Sequence, residues 1–195
     1  MIHDPDCTVF GRAPGLPDDL FEHDGLITKR HIRATAVGHL RPLPGQLLWD
    51  VGTGAGSIAI EWCRGADGAR AIGLERNPTR AGRARANAAR LTPAGSLEVR
   101  EGPAAEALDS LPAPDAVFVG GGLSSAVLDR AVARIRPGGR IVAHGVTVEA
   151  ELVCAQAHSR WGGQLSRMQV ELGEPLGSLQ GWTPGRTVIQ WFLQR

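Results

Sequence analysis

Between Gln46 and His144 short apolar runs alternate with segments of helical spacing, and that alternation narrows the choice of fold more than any other feature. Gln46–Val51 (QLLWDV), Arg70–Glu75 (RAIGLE), Leu97–Arg100, Asp115–Val119 (DAVFV) and Arg140–His144 (RIVAH) read as strands. Helices are predicted over Ser57–Arg64, from Asn77 to about Leu91, around Ala104–Ser110, over Ser124–Ile135 and over Val148–Trp161. Asn77 caps the second of these with Pro78 at its first position, where a missing N–H costs nothing. Arg136-Pro137-Gly138-Gly139 and Gly162-Gly163 close the last two. Strands joined through helices pair in parallel, because only a crossover returns the chain to the same end of a sheet. Leu165–Leu172 and Arg186–Leu193 then read as two strands with no helix between them, joined by a loop holding Gly173, Pro175, Gly177, Gly181 and Pro184. The expected fold class is α/β: a Rossmann-like, mostly parallel sheet covered on both faces, with an antiparallel C-terminal hairpin at one edge.

With 195 residues, 43% of them hydrophobic, the chain has room for one core without disulfides or metal. Residues 1–26 are acidic and punctuated by Gly11, Pro14, Gly15 and Pro17, which predicts an N-terminal extension ahead of a single domain over 27–195. Thr28 is placed to cap a helix whose apolar face is Ile32, Ala36, Val37 and Leu40, with Ile27 and Ile32 as a staple. No apolar run reaches the roughly 18 residues of a spanning helix. Met1-Ile2-His3-Asp4 lacks the basic and apolar stretches of a secretion signal, so a cytoplasmic location is expected. The net charge is +1 with no basic block, which argues against nucleic acid as a partner. Cys7, Cys63 and Cys154 are far apart with no CxxC pair, so free thiols in a reducing compartment are expected, and no metal site.

The chemistry gathers at Asp50-Val51-Gly52-Thr53-Gly54-Ala55-Gly56-Ser57, where the first strand turns into a helix. Ligands of open parallel sheets bind beyond the carboxyl ends of the strands, and glycines there let the backbone approach them. A dinucleotide fingerprint needs G-x-G-x-x-G, and its third glycine position is Ser57 here. Asp50 at the strand end suits the ammonium of an amino-acid moiety and would be unfavourable beside a pyrophosphate. Glu75 ends the second strand, where a carboxylate accepts both ribose hydroxyls of an adenosine.

Turn, acid and five-strand alternation together resemble the class I S-adenosylmethionine-dependent methyltransferases, over about Gln46 to His144. The substrate signatures of that class are informative by what replaces them. After the fourth strand the Asn/Asp-Pro-Pro-aromatic motif of DNA and protein amide methylases is replaced by Val119-Gly120-Gly121-Gly122. No Pro-Cys nucleophile of an RNA cytosine methylase is near. The acids of a metal-dependent catechol type are replaced by Gly120 and His144-Gly145. A small, already reactive target remains.

Gly15-Leu16-Pro17-Asp18-Asp19-Leu20-Phe21, Gly25-Leu26-Ile27-Thr28-Lys29-Arg30 with Arg33, Asp50–Ser57, Glu75-Arg76-Asn77-Pro78, Gly102–Leu108 and Phe118-Val119-Gly120-Gly121 resemble the CbiT-type precorrin methyltransferases, stand-alone or as the C-terminal half of the fused precorrin-6Y C5,15-methyltransferase. The resemblance implies methylation of carbon 15 of the macrocycle with decarboxylation of the ring-C acetate, in cobalamin biosynthesis, and a homotetramer. It implies a cofactor site of Thr28, Gly52, Thr53, Gly54, Ala55, Gly56, Glu75, Gly102 and Ala104, to which Asp50 and Gly120 at strand ends are added. Relatives have Gly-Asp-Ala where this chain has Gly102-Pro103-Ala104. Proline offers neither a side-chain acceptor nor an N–H, so adenine is expected to be read by backbone groups such as those of Ala104.

Methyl transfer from a sulfonium needs alignment above all, and the macrocycle's conjugated system can supply the nucleophilic carbon. Lys29, Arg30, Arg33 and Arg186 are the candidate clamps for substrate carboxylates, His23 and His144 the candidate proton donors, and Trp182 a candidate stacking surface. The competing readings are a methyltransferase for RNA or another small molecule, a nicotinamide-dependent oxidoreductase, and a catalytically silent cofactor-binding scaffold.

Overall fold

The computed structural model describes residues 10–195; Cys7 and the N-terminal stretch inspected for a secretion signal lie outside the described residues. Helix α1 (Arg30–Leu40) precedes strand β1 (Leu47–Val51), followed by α2 (Ser57–Gly65), β2 (Arg70–Glu75), α3 (Pro78–Leu91) and β3 (Leu97–Glu101). A short α4 (Ala104–Ala107) and a 3₁₀ turn lead to β4 (Ala116–Val119), α5 (Ser125–Arg134), β5 (Arg140–Gly145) and α6 (Val148–Trp161). The chain ends with β6 (Gln164–Met168), β7 (Glu171–Leu176), β8 (Leu179–Pro184) and β9 (Val188–Gln194). Asn77 caps α3 as its sequence predicts, its side chain accepting from the Arg80 N–H at 3.1 Å with Pro78 in the first turn.

Among the described residues seven strands form one sheet in the order β3-β2-β1-β4-β5-β9-β6. β1 to β5 pair in parallel. The chain steps outward from β1 to β3 and then returns to β4, so the strand order reverses between β1 and β4 and their loops diverge. That divergence opens a crevice at the carboxyl ends. Trp49, Val51, Val117, Val119, Ile141 and Trp191 pack beneath α5 and α6, whereas Leu48, Phe118 and Val142 pack beneath α1 and α2. Because side chains alternate along a strand, Asp50, His144 and Gln190 share the second face with Leu48, Phe118 and Val142. The buried indoles are satisfied, Trp49 donating to Pro112, Trp62 to Arg70 and Trp191 to Gly162 through backbone carbonyls. Burial pushes the Cys63 thiol up to about 12 and that of Cys154 to about 11, so both stay protonated packing groups.

The tail departs from its sequence pattern in two ways. Leu165–Leu172 is not one strand: it breaks after Met168, and its first part pairs with β9 while its second begins β7. The segment read as a loop, Gly173 to Pro184, is the β7–β8 hairpin, a separate two-stranded sheet. Glycine and proline signal a loop when a strand must fit between two neighbours. A two-stranded ribbon has open edges on both sides and tolerates them. β9 inserts between β5 and β6, antiparallel to both.

The start of α1 is also corrected. Lys29, not Thr28, is the capping residue, and no side chain caps the helix. Arg33, in the first turn, instead donates through Nη1 to the Thr28 carbonyl just ahead of the helix. Its Nε donates to Glu61 at 2.6 Å, its Nη1 also to Asp18 at 2.9 Å and its Nη2 to the Leu16 carbonyl. Glu61 in turn accepts from the Gly15 and Leu16 N–H groups at 2.8 and 2.9 Å. With Leu16 and Phe21 buried against Ile60, Ala88 and Leu91, this ties residues 15–33 to α2 and α3.

Candidate active site

A cleft of about 1020 Å³ lies over the carboxyl ends of β1, β2, β4 and β5, walled by residues 25–32 on one side and the base of the β7–β8 hairpin on the other. The turn after β1 is built for close approach. Gly52 has φ of 71°, and a Cβ there would sit 2.4 Å from the Cα of Gly121. The Gly52 and Thr53 N–H groups donate to Leu74, and those of Gly120 and Gly121 to Val51, which locks the turn between β2 and β4.

Glu75 has a role the sequence did not suggest. Its Oε2 accepts from the Gly54 N–H at 3.0 Å and its Oε1 from the Asn77 N–H at 2.9 Å, so it braces the turn and also faces the cleft. Asp50 is 1% exposed; its Oδ2 accepts from Thr53 Oγ1 at 2.6 Å and from the Ala59 N–H at 3.2 Å, and its Oδ1 has no hydrogen-bond partner among the described residues. Burial, reinforced by the Glu75 charge and opposed by those two hydrogen bonds, pushes the Asp50 carboxyl up to about 6. A buried carboxylate oxygen without a partner is a place for a cationic or N–H donor from a ligand.

Of the residues expected to hold a cofactor, Thr28, Asp50, Gly52, Thr53, Gly54, Ala55, Glu75, Gly102, Ala104 and Gly120 line the cleft. Gly56 does not; it caps α2 with φ of 81° and packs on Ala84. Lys29, Arg30 and Arg186 line the cleft and have no ion pair among the described residues, as a carboxylate clamp requires. Arg33 does not: it is fully buried and its guanidinium is saturated by protein oxygens. His23 lies away from the cleft, its Nδ1 accepting from the Gly25 N–H in a turn. Trp182 is also off the cleft wall and 76% exposed. His144 reaches the cleft, but its Nε2 faces the Gln190 Oε1 at 2.9 Å, and burial holds its pKa down to about 4. At neutral pH it therefore offers a lone pair rather than a proton. Gln190 went unnoticed in the sequence, although a lone polar residue inside Val188-Ile189-Gln190-Trp191-Phe192-Leu193 is a visible signal.

The precorrin methyltransferase domain family matches residues 19–195. The chain belongs to that family. It is 44% identical over 189 residues to the precorrin-6Y C(5,15)-methyltransferase [decarboxylating] of Sinorhizobium sp, covering 96% of this chain and 46% of that protein. The chain thus spans about half the length of its precorrin-6Y relatives. It is 34% identical over 155 residues to the "Probable cobalt-precorrin-6B C(15)-methyltransferase (decarboxylating)" of Pyrobaculum calidifontis, covering 77% of this chain and 79% of that one. The crystal structure of the C-terminal domain of precorrin-6Y C5,15-methyltransferase from Rhodobacter capsulatus superimposes with a TM-score of 0.88 at 42% identity, covering 94% and 99% of the two chains. The precorrin methyltransferase domain here therefore has the Rossmann-like methyltransferase fold, with its cleft at the strand-order reversal.

Proposed function

We propose that this chain methylates carbon 15 of a precorrin macrocycle from S-adenosylmethionine and removes CO₂ from the ring-C acetate, as a step of cobalamin biosynthesis. One observation carries the reading. The chain matches about half of the relatives named for both carbons 5 and 15, and most of a relative named for carbon 15 alone; what those relatives share by name is carbon-15 methylation with decarboxylation.

The residues fit the cofactor. The unpaired Asp50 Oδ1 suits an α-ammonium, the backbone cradle at Gly52–Ala55 has no room for a Cβ at Gly52, and Glu75 ends the neighbouring strand where a ribose diol binds. Gly102 and Ala104 line the same wall and offer backbone groups to an adenine; Gly120 lines the cleft at the end of β4, where a Cβ would meet the Phe118 ring at 2.8 Å. When bound, the sulfonium supplies an electrophilic methyl group. The chain's own residues align it and hold the substrate: Lys29, Arg30 and Arg186, cations on the rim without an ion pair among the described residues, suit the carboxylates of a precorrin. No helix among the described residues is long and apolar enough to cross a membrane, and the proposed setting is cytoplasmic. The exposed Leu172, Leu176, Leu179 and Trp182 of the β7–β8 hairpin supply apolar surface for the homotetramer this reading includes.

The test is calorimetry with S-adenosylhomocysteine beside NAD(H), followed by turnover on a precorrin-6 macrocycle. Nucleoside binding and one CO₂ released per methyl group are expected. Preferential NAD(H) binding, or methylation without CO₂, would falsify the assignment.

A pH dependence follows from Asp50. Below its raised pKa of about 6 the free protein carries a proton there, and a cationic ammonium favours the ionised form. Cofactor binding is therefore expected to release up to one proton below pH 6 and none well above it, with affinity falling by up to about tenfold per pH unit below 6. Titrations in two buffers of different ionisation enthalpy read the proton count; an equal heat in both buffers at pH 5.5 contradicts the Asp50 assignment.

A further inference from the structure

β5 and β9 run antiparallel with His144 opposite Gln190. A carboxamide oxygen only accepts, so at the 2.9 Å contact the hydrogen sits on His144 Nε2, and Nδ1 keeps its lone pair. Gln190 is 1% exposed and His144 6%, so water does not compete for this bond. Phe118 stands edge-on to the imidazole, 5.0 Å between ring centroids, and fixes its plane. The titratable group that bears on it from the α1 side is His39; with burial it keeps the ring neutral, while the Gln190 bond acts in the opposite sense. A polar pair buried between the apolar residues Val142 and Phe192 of the same face and the cleft costs stability that packing alone does not require. The pair instead presents an oriented, neutral acceptor to the cleft.

The proposed reaction has a use for one. Carbon 15 gains a methyl group as the equivalent of a cation. The acetate's bond to its carboxylate breaks, CO₂ departs, and the bonding pair enters the conjugated system and cancels that charge. A methylene remains where the acetate was. For it to become a methyl group, one proton must leave the macrocycle and one must arrive at the methylene carbon, with no net uptake.

Resting on the function proposed above, we propose that His144 relays this proton and that Gln190 is the positioning residue that holds it as the Nε2–H tautomer. Nδ1 takes the proton from the macrocycle and returns it to the methylene carbon, while Nε2–H stays bonded to Gln190.

Long-range ¹H–¹⁵N NMR of the full chain uniformly labelled with ¹³C and ¹⁵N reads the tautomer without any substrate, with His144 assigned through its own backbone connectivities in the parent. The parent is expected in the Nε2–H form and Gln190→Leu as a mixture of tautomers. With a precorrin-6 macrocycle, kcat is expected to fall about 100-fold or more in His144→Phe and about 10- to 100-fold in Gln190→Leu, with KM little changed. A parent in the Nδ1–H form overturns the proposal, and that measurement needs no variant to fold. So does a Gln190→Leu protein with scrambled tautomers and parental turnover. A parent that binds S-adenosylhomocysteine yet methylates nothing overturns the reaction assignment and this inference together; normal parental turnover confines a failure to the inference.

Discussion

Replacing Arg33 by methionine is expected to destabilise the protein by about 3–5 kcal/mol, the cost of leaving one partner of a buried ion pair uncompensated. The Arg33 and Glu61 side chains are 0% and 1% exposed, and their 2.6 Å contact is the centre of a network that also holds Asp18, Leu16 and Thr28. Without Arg33, Glu61 keeps only the Gly15 and Leu16 N–H groups to balance a full charge. For a chain of this length each kcal/mol moves Tm by about 2–4 °C, so a fall of roughly 6–20 °C is expected in a thermal melt. Arg33→Met with Glu61→Gln is expected to recover part of it, because the charge is gone, while the single amide oxygen serves only one of the Gly15 and Leu16 N–H groups held by the two carboxylate oxygens. A single variant within about 1 kcal/mol of the parent would show that water reaches Glu61 and that the pair is not buried in solution.

Glu75→Ala is expected to weaken S-adenosylhomocysteine binding about 100-fold. Each hydrogen bond to a carboxylate contributes about 1.5–3 kcal/mol, and removal takes away both the proposed ribose partner and the brace on the glycine turn. The free protein is expected to lose less, since the Gly54 N–H faces the cleft and the Asn77 N–H lies at the surface, where water replaces the carboxylate. Glu75→Gln separates the two roles. Its amide offers one acceptor oxygen where the Gly54 and Asn77 N–H groups need two, so an intermediate loss is expected. Calorimetric affinities for the three proteins decide, and an Ala variant within about threefold of the parent removes Glu75 from the site.

The parts of this protein legible along the chain are those whose causes lie within a few residues. The Asn77-Pro78 cap depends on one side chain and one missing N–H, both visible in sequence. The glycine turn after β1 is equally local, and so is the strand–helix alternation from Gln46 to His144. Thr28 failed as a cap because the helix begins one residue later, with Lys29 at the cap position, and a one-residue boundary is set by packing rather than by the local sequence. The β7–β8 hairpin was missed because Gly173, Pro175 and Gly181 break a central strand but not an isolated ribbon, and only pairing tells the two apart.

By itself, then, the sequence determined the α/β class, the turn that opens the cleft and the two acids at strand ends, because backbone conformation and strand periodicity are short-range properties. The tertiary structure alone decided what each charged or polar side chain does. It buried Arg33 against Glu61 from 28 residues away, turned His23 aside, and set Gln190 beside His144 across 46 residues of chain. Whether a titratable group clamps a substrate, braces the fold or accepts a proton depends on its burial and on the partner facing it, and both are fixed only when distant segments pack.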